Sequence, residues 1–161
     1  MSFRSVTWGL IGLMMLAGCG KKPIEDKVIL VSSSDSKMNA AMEKARQTIQ
    51  TFIQELKSPK TGQSGFSVKV GLTENGKTEH MWLAPVEFDG KKFHGVINND
   101  PEFLKTYKLG QKIDVELSNI SDWMYIENRV LMGGYTIRVL RDMMPAKERA
   151  EFDQAMPFQI R

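Results

Sequence analysis

The chain has 161 residues, of which 42% are hydrophobic and 25% charged, with a formal net charge of +3 and a single cysteine. That length and apolar content suit one domain with one core. The near balance of charge, with no dense basic cluster, excludes a nucleic-acid footprint, and one cysteine excludes an internal disulfide.

The first segment reads as a processing signal rather than as fold. Arg4 is the only charged side chain before Cys19, and Val6 to Leu16 forms an apolar stretch with no polar face. The stretch is the length of a signal-peptide core and is shorter than the ~20 residues that span a bilayer. It closes on Leu16-Ala17-Gly18-Cys19. This motif resembles the bacterial lipoprotein signal, in which a peptidase cuts before a lipid-modified cysteine. The resemblance implies a diacylglyceryl group on Cys19 and a further amide-linked chain of the palmitate type. Each buried CH₂ is worth ~0.8 kcal/mol, so several chains anchor stably where one does not. Residues 1–18 are therefore expected to be a signal peptide and residues 19–36 a lipidated tether. Residues 37–161 would form a single domain facing the periplasm from a cell membrane. In a Gram-negative host, Gly20 in place of an aspartate after the cysteine favours the outer membrane. Loss of Arg4 with the signal takes Lys+Arg from 22 to 21 against 19 Asp+Glu, a net of +2. Acylation of Cys19 would remove the one thiol from any redox or catalytic role.

Along the tether, Val28-Ile29-Leu30-Val31 is a candidate short strand. Asp35 or Ser36 is a suitable helix N-cap. Beyond it Met38, Met42, Ala45, Ile49, Phe52, Ile53 and Leu56 recur at steps of three and four, the stripe of an amphipathic helix reaching about Lys57. Methionines at this spacing belong to a core rather than to a ligand groove. Ser58 to Gly62 ends the helix. Phe66, Val68, Val70 and Leu72 then alternate with Ser67, Lys69 and Gly71, the pattern of a strand with one buried face. Asn75-Gly76 is a strong hairpin signal, leading into a strand from Thr78 to Val86. Asp89-Gly90 turns the chain into Lys92 to Ile97. Pro101 to Tyr107 reads as a helical turn, and Ile113, Val115 and Leu117 as another strand. Ile120–Ile126 and Val130–Met132 flank a turn at Glu127-Asn128-Arg129. From Tyr135, alternation of Ile137 and Val139 allows a strand, but Thr136 as a cap with Ile137, Leu140 and Met144 favours a helix. Pro145 to Gln154 is a short terminal helix with Pro145 in its first turn. The fold class is α+β: a curved antiparallel sheet of about five to six strands, packed by an N-terminal amphipathic helix and short C-terminal helices.

Four runs carry a family resemblance: Glu79-His80-Met81-Trp82, Phe93 to Pro101, Ser121-Asp122-Trp123-Met124-Tyr125 and Gly133 to Leu140. Together they resemble the YegJ-like domain, a bacterial domain of unknown function. The resemblance covers roughly Met38 to Phe152. It implies an architecture but lends no reaction or substrate.

The residues themselves carry no catalytic signature. His80 and His94 with Asp122 would make three zinc ligands, but no spacing calls for a metal. No serine lies in a nucleophile-elbow sequence, and Gly133-Gly134 lacks the Lys-Ser/Thr of a phosphate loop. Asp122 is suited to accepting backbone N–H bonds or pairing with Arg138. Trp82, His94, Asp122, Trp123, Tyr125, Gly134, Tyr135 and Arg138 form a candidate binding patch, provided that their side chains are exposed together, because aromatics and Arg dominate interaction hot spots. The favoured reading is a non-enzymatic, lipid-anchored binding module with a protein partner and no cofactor. The alternatives are an immunity-type protein that neutralises a periplasmic toxin, and an envelope enzyme that unites Asp122 with His80 or His94.

Overall fold

A computed structural model describes residues 7–8 and 36–161. The rest of the expected signal segment, Cys19, residues 20–35 of the expected tether with Val28 to Val31, and the Asp35 cap candidate lie outside the described residues, while Ser36 is the first residue of a helix.

Helix α1 (Ser36–Lys57) buries Met38, Ala41, Ala45, Ile49, Phe52 and Ile53 along one side. It stops just before Ser58-Pro59, where the proline ring disfavours helical geometry in the residue before it. Two residues, Thr7–Trp8, form β1, and six longer strands follow. These are β2 (Gln63–Glu74), β3 (Lys77–Phe88), β4 (Lys92–Ile97), β5 (Lys112–Glu116), β6 (Ile120–Glu127) and β7 (Val130–Gly133). The six pair antiparallel in the order β5-β4-β3-β2-β6-β7, in a curled sheet, and β1 lies parallel to β3 at Glu79 and His80. Asn75 and Gly76 both have positive φ, 49° and 75°, as a two-residue hairpin turn requires. The register then places Glu74 opposite Lys77 and Val68 opposite Leu83.

Helix α1 covers one face of the sheet. Phe52 is fully buried there, with its ring 5.5–6.0 Å from those of Phe66, Phe93 and Trp123. The other face is covered as well, by α2 (Tyr135–Met143), α3 (Ala146–Ala155) and the C-terminal segment, through Trp82, Met124, Leu131, Ile137, Phe152 and Phe158. Met38 and Leu140 join α1 to α2 at the rim. The last residues run along β7: Leu131 N–H donates to Gln159 O, and Gln159 N–H to Arg129 O.

The expected α+β class holds, and residues 135–143 are helical. The strands expected from Phe66 to Met132 form, except that Leu117 lies in a 3-10 turn (Leu117–Asn119) after β5. Three further details differ. The alternation in β2 marks two buried faces rather than one, so Ser67 and Lys69 are inside. Pro101 to Tyr107 forms bends rather than a helical turn, because carboxylates from β2 and β3 bind its backbone N–H groups, as described below. Pro145 precedes α3 rather than opening it.

The turn from β7 into α2 depends on Gly133 and Gly134, with φ of 68° and 61°. A Cβ on Gly133 would lie 2.3 Å from the Trp123 carbonyl oxygen and 2.4 Å from its ring. Gly133→Ala should therefore lower stability by about 2 kcal/mol or more, combining left-handed backbone strain with the clash. Urea denaturation measures this, and a loss below about 0.5 kcal/mol would show that the corner yields freely.

Candidate functional site

The most unusual chemistry in the domain is a row of polar side chains inside the face covered by α2. Lys69 on β2 stands directly between Trp82 on β3 and Asp122 on β6. Side chains two residues apart on a strand share a face, so His80, opposite Gly71 on the next rung, joins them. Asp122 is fully buried, Lys69 is 1% exposed and His80 7%.

Asp122 is held by the start of α2. Its Oδ1 accepts from the backbone N–H of Trp123 (2.8 Å) and Tyr135 (3.1 Å), and its Oδ2 from the N–H (2.8 Å) and hydroxyl (2.6 Å) of Thr136. The residue at the cap position is Gly134, which has no side chain to offer. A carboxylate from a neighbouring strand therefore satisfies the first N–H groups of the helix, at the end where the helix dipole favours negative charge. Thr136, expected as the cap, lies inside the first turn and donates its hydroxyl to Asp122. That hydroxyl also accepts a long bond from Lys69 Nζ, 3.5 Å away, so it stands between cation and anion. Lys69 Nζ lies 5.5 Å from the centre of the Trp82 ring as well. Trp82 Nε1 has no hydrogen-bond acceptor among the described residues.

Burial works against both charges. It pushes the Lys69 amine down to about 8, with the Asp122 charge opposing the shift. It raises Asp122 above the usual carboxylate range, against the pull of Thr136 and Lys69. On the next rung His80 Nδ1 is 2.8 Å from Ser121 Oγ, and the Ser121 hydroxyl donates to Lys69 O at 3.2 Å. The imidazole is held down to about 3 by burial first, then by the positive charges of Lys69 and Arg46. A neutral histidine, a serine and a lysine thus stand close together, but the serine hydroxyl is committed to a main-chain carbonyl.

His94 has a different setting. It is half-exposed on β4, with Nδ1 2.8 Å from Asp114 and Nε2 3.0 Å from Asp89, which raise its pKa. Both ring nitrogens are engaged by these carboxylates. Among the described residues no group of three or more His, Cys, Asp or Glu side chains is arranged to hold a metal.

The eight residues expected as a patch therefore separate. Trp123 and Tyr125 lie in the core under α1, with partly buried Tyr135 meeting Trp123 edge-on. Trp82 and Asp122 lie on the opposite face of the sheet. Arg138 does not pair with Asp122. Its guanidinium donates to the carbonyls of Gly133 (3.0 Å), Leu131 (2.8 Å) and Arg161, clamping the C-terminus to β7. Gly134 shapes the corner. The condition of joint exposure is not met by the rings of Trp82, Trp123 and Tyr125, each at most 4% exposed. In the sequence Lys69 reads as a solvent-face alternate, Ser121 carries no site motif, and Thr136 reads as a cap rather than as an inward hydroxyl. The available signal was Lys69 between Val68 and Val70, together with C-terminal helices whose apolar residues need a second face to cover.

These features define a two-faced α+β domain, with an antiparallel sheet between helical layers and a buried polar row at its centre. The chain belongs to the bacterial family described as "Uncharacterized protein conserved in bacteria (DUF2314)", whose profile matches residues 35–160. It is 32% identical over 142 residues to "Uncharacterized protein YegJ" of Escherichia coli K12, covering 88% of this chain and 92% of that one. It is 36% identical over 139 residues to a Neisseria meningitidis serogroup B protein named "Putative ankyrin repeat protein", covering 81% of this chain. The chain spans 55% of that second relative's length. No solved structure matches.

The buried row sets how the domain responds to substitution and to pH. Removing one member of a buried charge pair costs about 3–5 kcal/mol, so Asp122→Ala should be severely destabilising. Lys69→Met together with Asp122→Ala should cost less than the sum of the single changes by about 1–2 kcal/mol; strict additivity in urea titrations would remove the coupling. The depressed Lys69 pKa means that its neutral form suits the fold. Its contribution to stability is present above pH 10.5 and is lost as pH falls through about 8. Lys69→Met should flatten that part of the wild-type stability profile.

The histidines should also separate by NMR. His94 should titrate above 6.5, while His80 stays neutral until about pH 3. The stability that His94 supplies is present below pH 6.5 and lost as pH rises through its folded value. Parallel titration of the two rings near 6.5 would contradict both environments.

Proposed function

We propose that this protein is a lipid-anchored binding module of the bacterial cell envelope, held to a membrane through Cys19 and facing the periplasm. The observation that carries this reading is the sequence Leu16-Ala17-Gly18-Cys19 at the end of an uncharged apolar run. The short run and small residues before a cysteine are what acylation and cleavage need. Among the described residues no helix is long and apolar enough to cross a membrane, so attachment in this reading depends on the lipid.

The interior chemistry supports a binding role over catalysis. A general base or nucleophile must reach a substrate within hydrogen-bond distance. Asp122, His80 and Ser121 are instead buried and bonded to main-chain or neighbouring groups of the fold. In this reading they specify how α2 sits on the sheet, and the partner, a protein, meets the outer surface.

Intact-mass analysis of the protein from native membranes tests the anchor. A chain beginning at Cys19 and heavier than residues 19–161 by an acylated glyceryl group is expected, and Cys19→Ser should move the protein to the soluble fraction. An unmodified chain beginning at Met1 in those membranes would refute the proposal.

A further inference from the structure

The connection between β4 and β5, residues 98–111, is long, irregular and firmly fastened. The buried Glu79 carboxylate accepts from the N–H groups of Glu102 (2.8 Å) and Phe103 (3.0 Å). Glu74 accepts from the N–H groups of Lys105 (2.6 Å) and Thr106 (3.1 Å), and from the Thr106 hydroxyl. Leu104 enters the core under α1. The tip is a turn in which Gln111 N–H donates to Lys108 O at 3.0 Å, with Gly110 at φ 80°.

The exposed side chains of this fastened loop have a distinct chemistry. Phe103 and Leu109 are 37% and 46% exposed, two of the three exposed large hydrophobics among the described residues. From Phe103 to Lys112 the chain carries Lys105, Lys108 and Lys112, all exposed, and no acidic residue. Lys77 adds a fourth cation, with Nζ 5.3 Å from the centre of the Phe103 ring. The acidic residues of the loop, Asp100 and Glu102, precede this stretch. Apolar side chains held outward among lysines expose area that water does not favour, beside charge that an anionic surface would attract.

We infer that this loop is a membrane-contact surface, which seats Phe103 and Leu109 at the headgroup boundary of an anionic phospholipid bilayer with Lys77, Lys105, Lys108 and Lys112 on the phosphates. Composition separates this occupant from a protein. Protein interfaces favour Tyr, Trp and Arg and are depleted in Lys, whereas isolated apolar residues between lysines are what anionic leaflets bind. Each lysine near such a leaflet favours binding by about fivefold, and salt screens the effect. The inference rests on the anchored reading only in supposing a bilayer nearby. A lipidated Cys19 would supply the attachment, and the loop would set which side of the domain faces the lipid.

Covalent labelling of lysines by an acetylating reagent tests it. The full chain is incubated with phosphatidylcholine vesicles, with or without phosphatidylglycerol, and modification is read at each lysine by mass spectrometry. With phosphatidylglycerol, Lys105, Lys108 and Lys112 should label several-fold more slowly once most of the protein is bound, while Lys44 on α1 and Lys147 on α3 are unchanged. High salt, or Phe103→Ser with Leu109→Ser, should remove most of the protection. If the chain fails to sediment with neutral vesicles but the loop is still protected on anionic ones, the surface stands without the anchor. Equal labelling on both vesicles, or protection as strong at Lys44 and Lys147, would overturn the inference, and an acidic protein face would become the better occupant.

Discussion

The arrangement of this domain depends on one buried carboxylate. Asp122 sits on a central strand with no exposure, where an unsatisfied charge would cost far more than the domain's net stability allows. Its four hydrogen bonds come from Trp123, Tyr135 and Thr136. Three of the four come from the first turn of α2, so the helix has little freedom in where it begins. The corner that delivers it must be tight enough to bring the Gly134 N–H to within 2.8 Å of Trp123 O. That requirement explains two consecutive glycines with positive φ at the end of β7. Once α2 starts there, Ile137 falls onto the second face of the sheet and Leu140 meets Met38 of α1.

Lys69 follows from the same placement, with Thr136 of α2 against its amine. Burial pushes both Lys69 and His80 toward their neutral forms. A buried charge pair contributes little net stability compared with well-packed apolar side chains of similar volume. Its value here is geometric: the Thr136 hydroxyl, between Lys69 and Asp122, fits one helix position and would be left unsatisfied by a shift of one turn. The apolar contacts of Phe52, Trp123 and their neighbours supply the stabilisation, and the polar row selects among ways of packing it.

Much of the fold is legible in the amino-acid order, because it is written in local periodicity. The α1 stripe, the Asn75-Gly76 hairpin and the strands from Phe66 to Met132 follow from spacing alone. What spacing does not reveal is what covers the other face of a strand. Ser67, Lys69 and Gly71 read as a solvent face because polar alternates usually are one, but the distant C-terminal helices cover that face, and Ser67 and Lys69 are inside. The same blindness affected the aromatic residues: Trp82, Trp123 and Tyr125 have the composition of a hot spot, but they are divided between two cores. Asp122 was legible as an acceptor of backbone N–H bonds, but the Arg138 pairing was not realised, since that guanidinium is occupied by carbonyls at the β7 edge. The loop from Asn98 to Gln111 gives no periodic signal because distant carboxylates, Glu74 and Glu79, impose its shape.

The titratable groups of the buried row inside the domain, Lys69, His80 and Asp122, are committed to its structure. The central claim is that the Asp122 carboxylate fastens the start of α2 to the sheet. The most direct measurement is amide hydrogen exchange at Tyr135 and Thr136, residue by residue, in the wild type and in Asp122→Asn. Exchange as slow as in the central strands is expected in the wild type, with selective acceleration at these two amides in the variant while Val68 and Val70 remain protected. Rapid exchange at Tyr135 and Thr136 in the wild type, or no change on substitution, would contradict it.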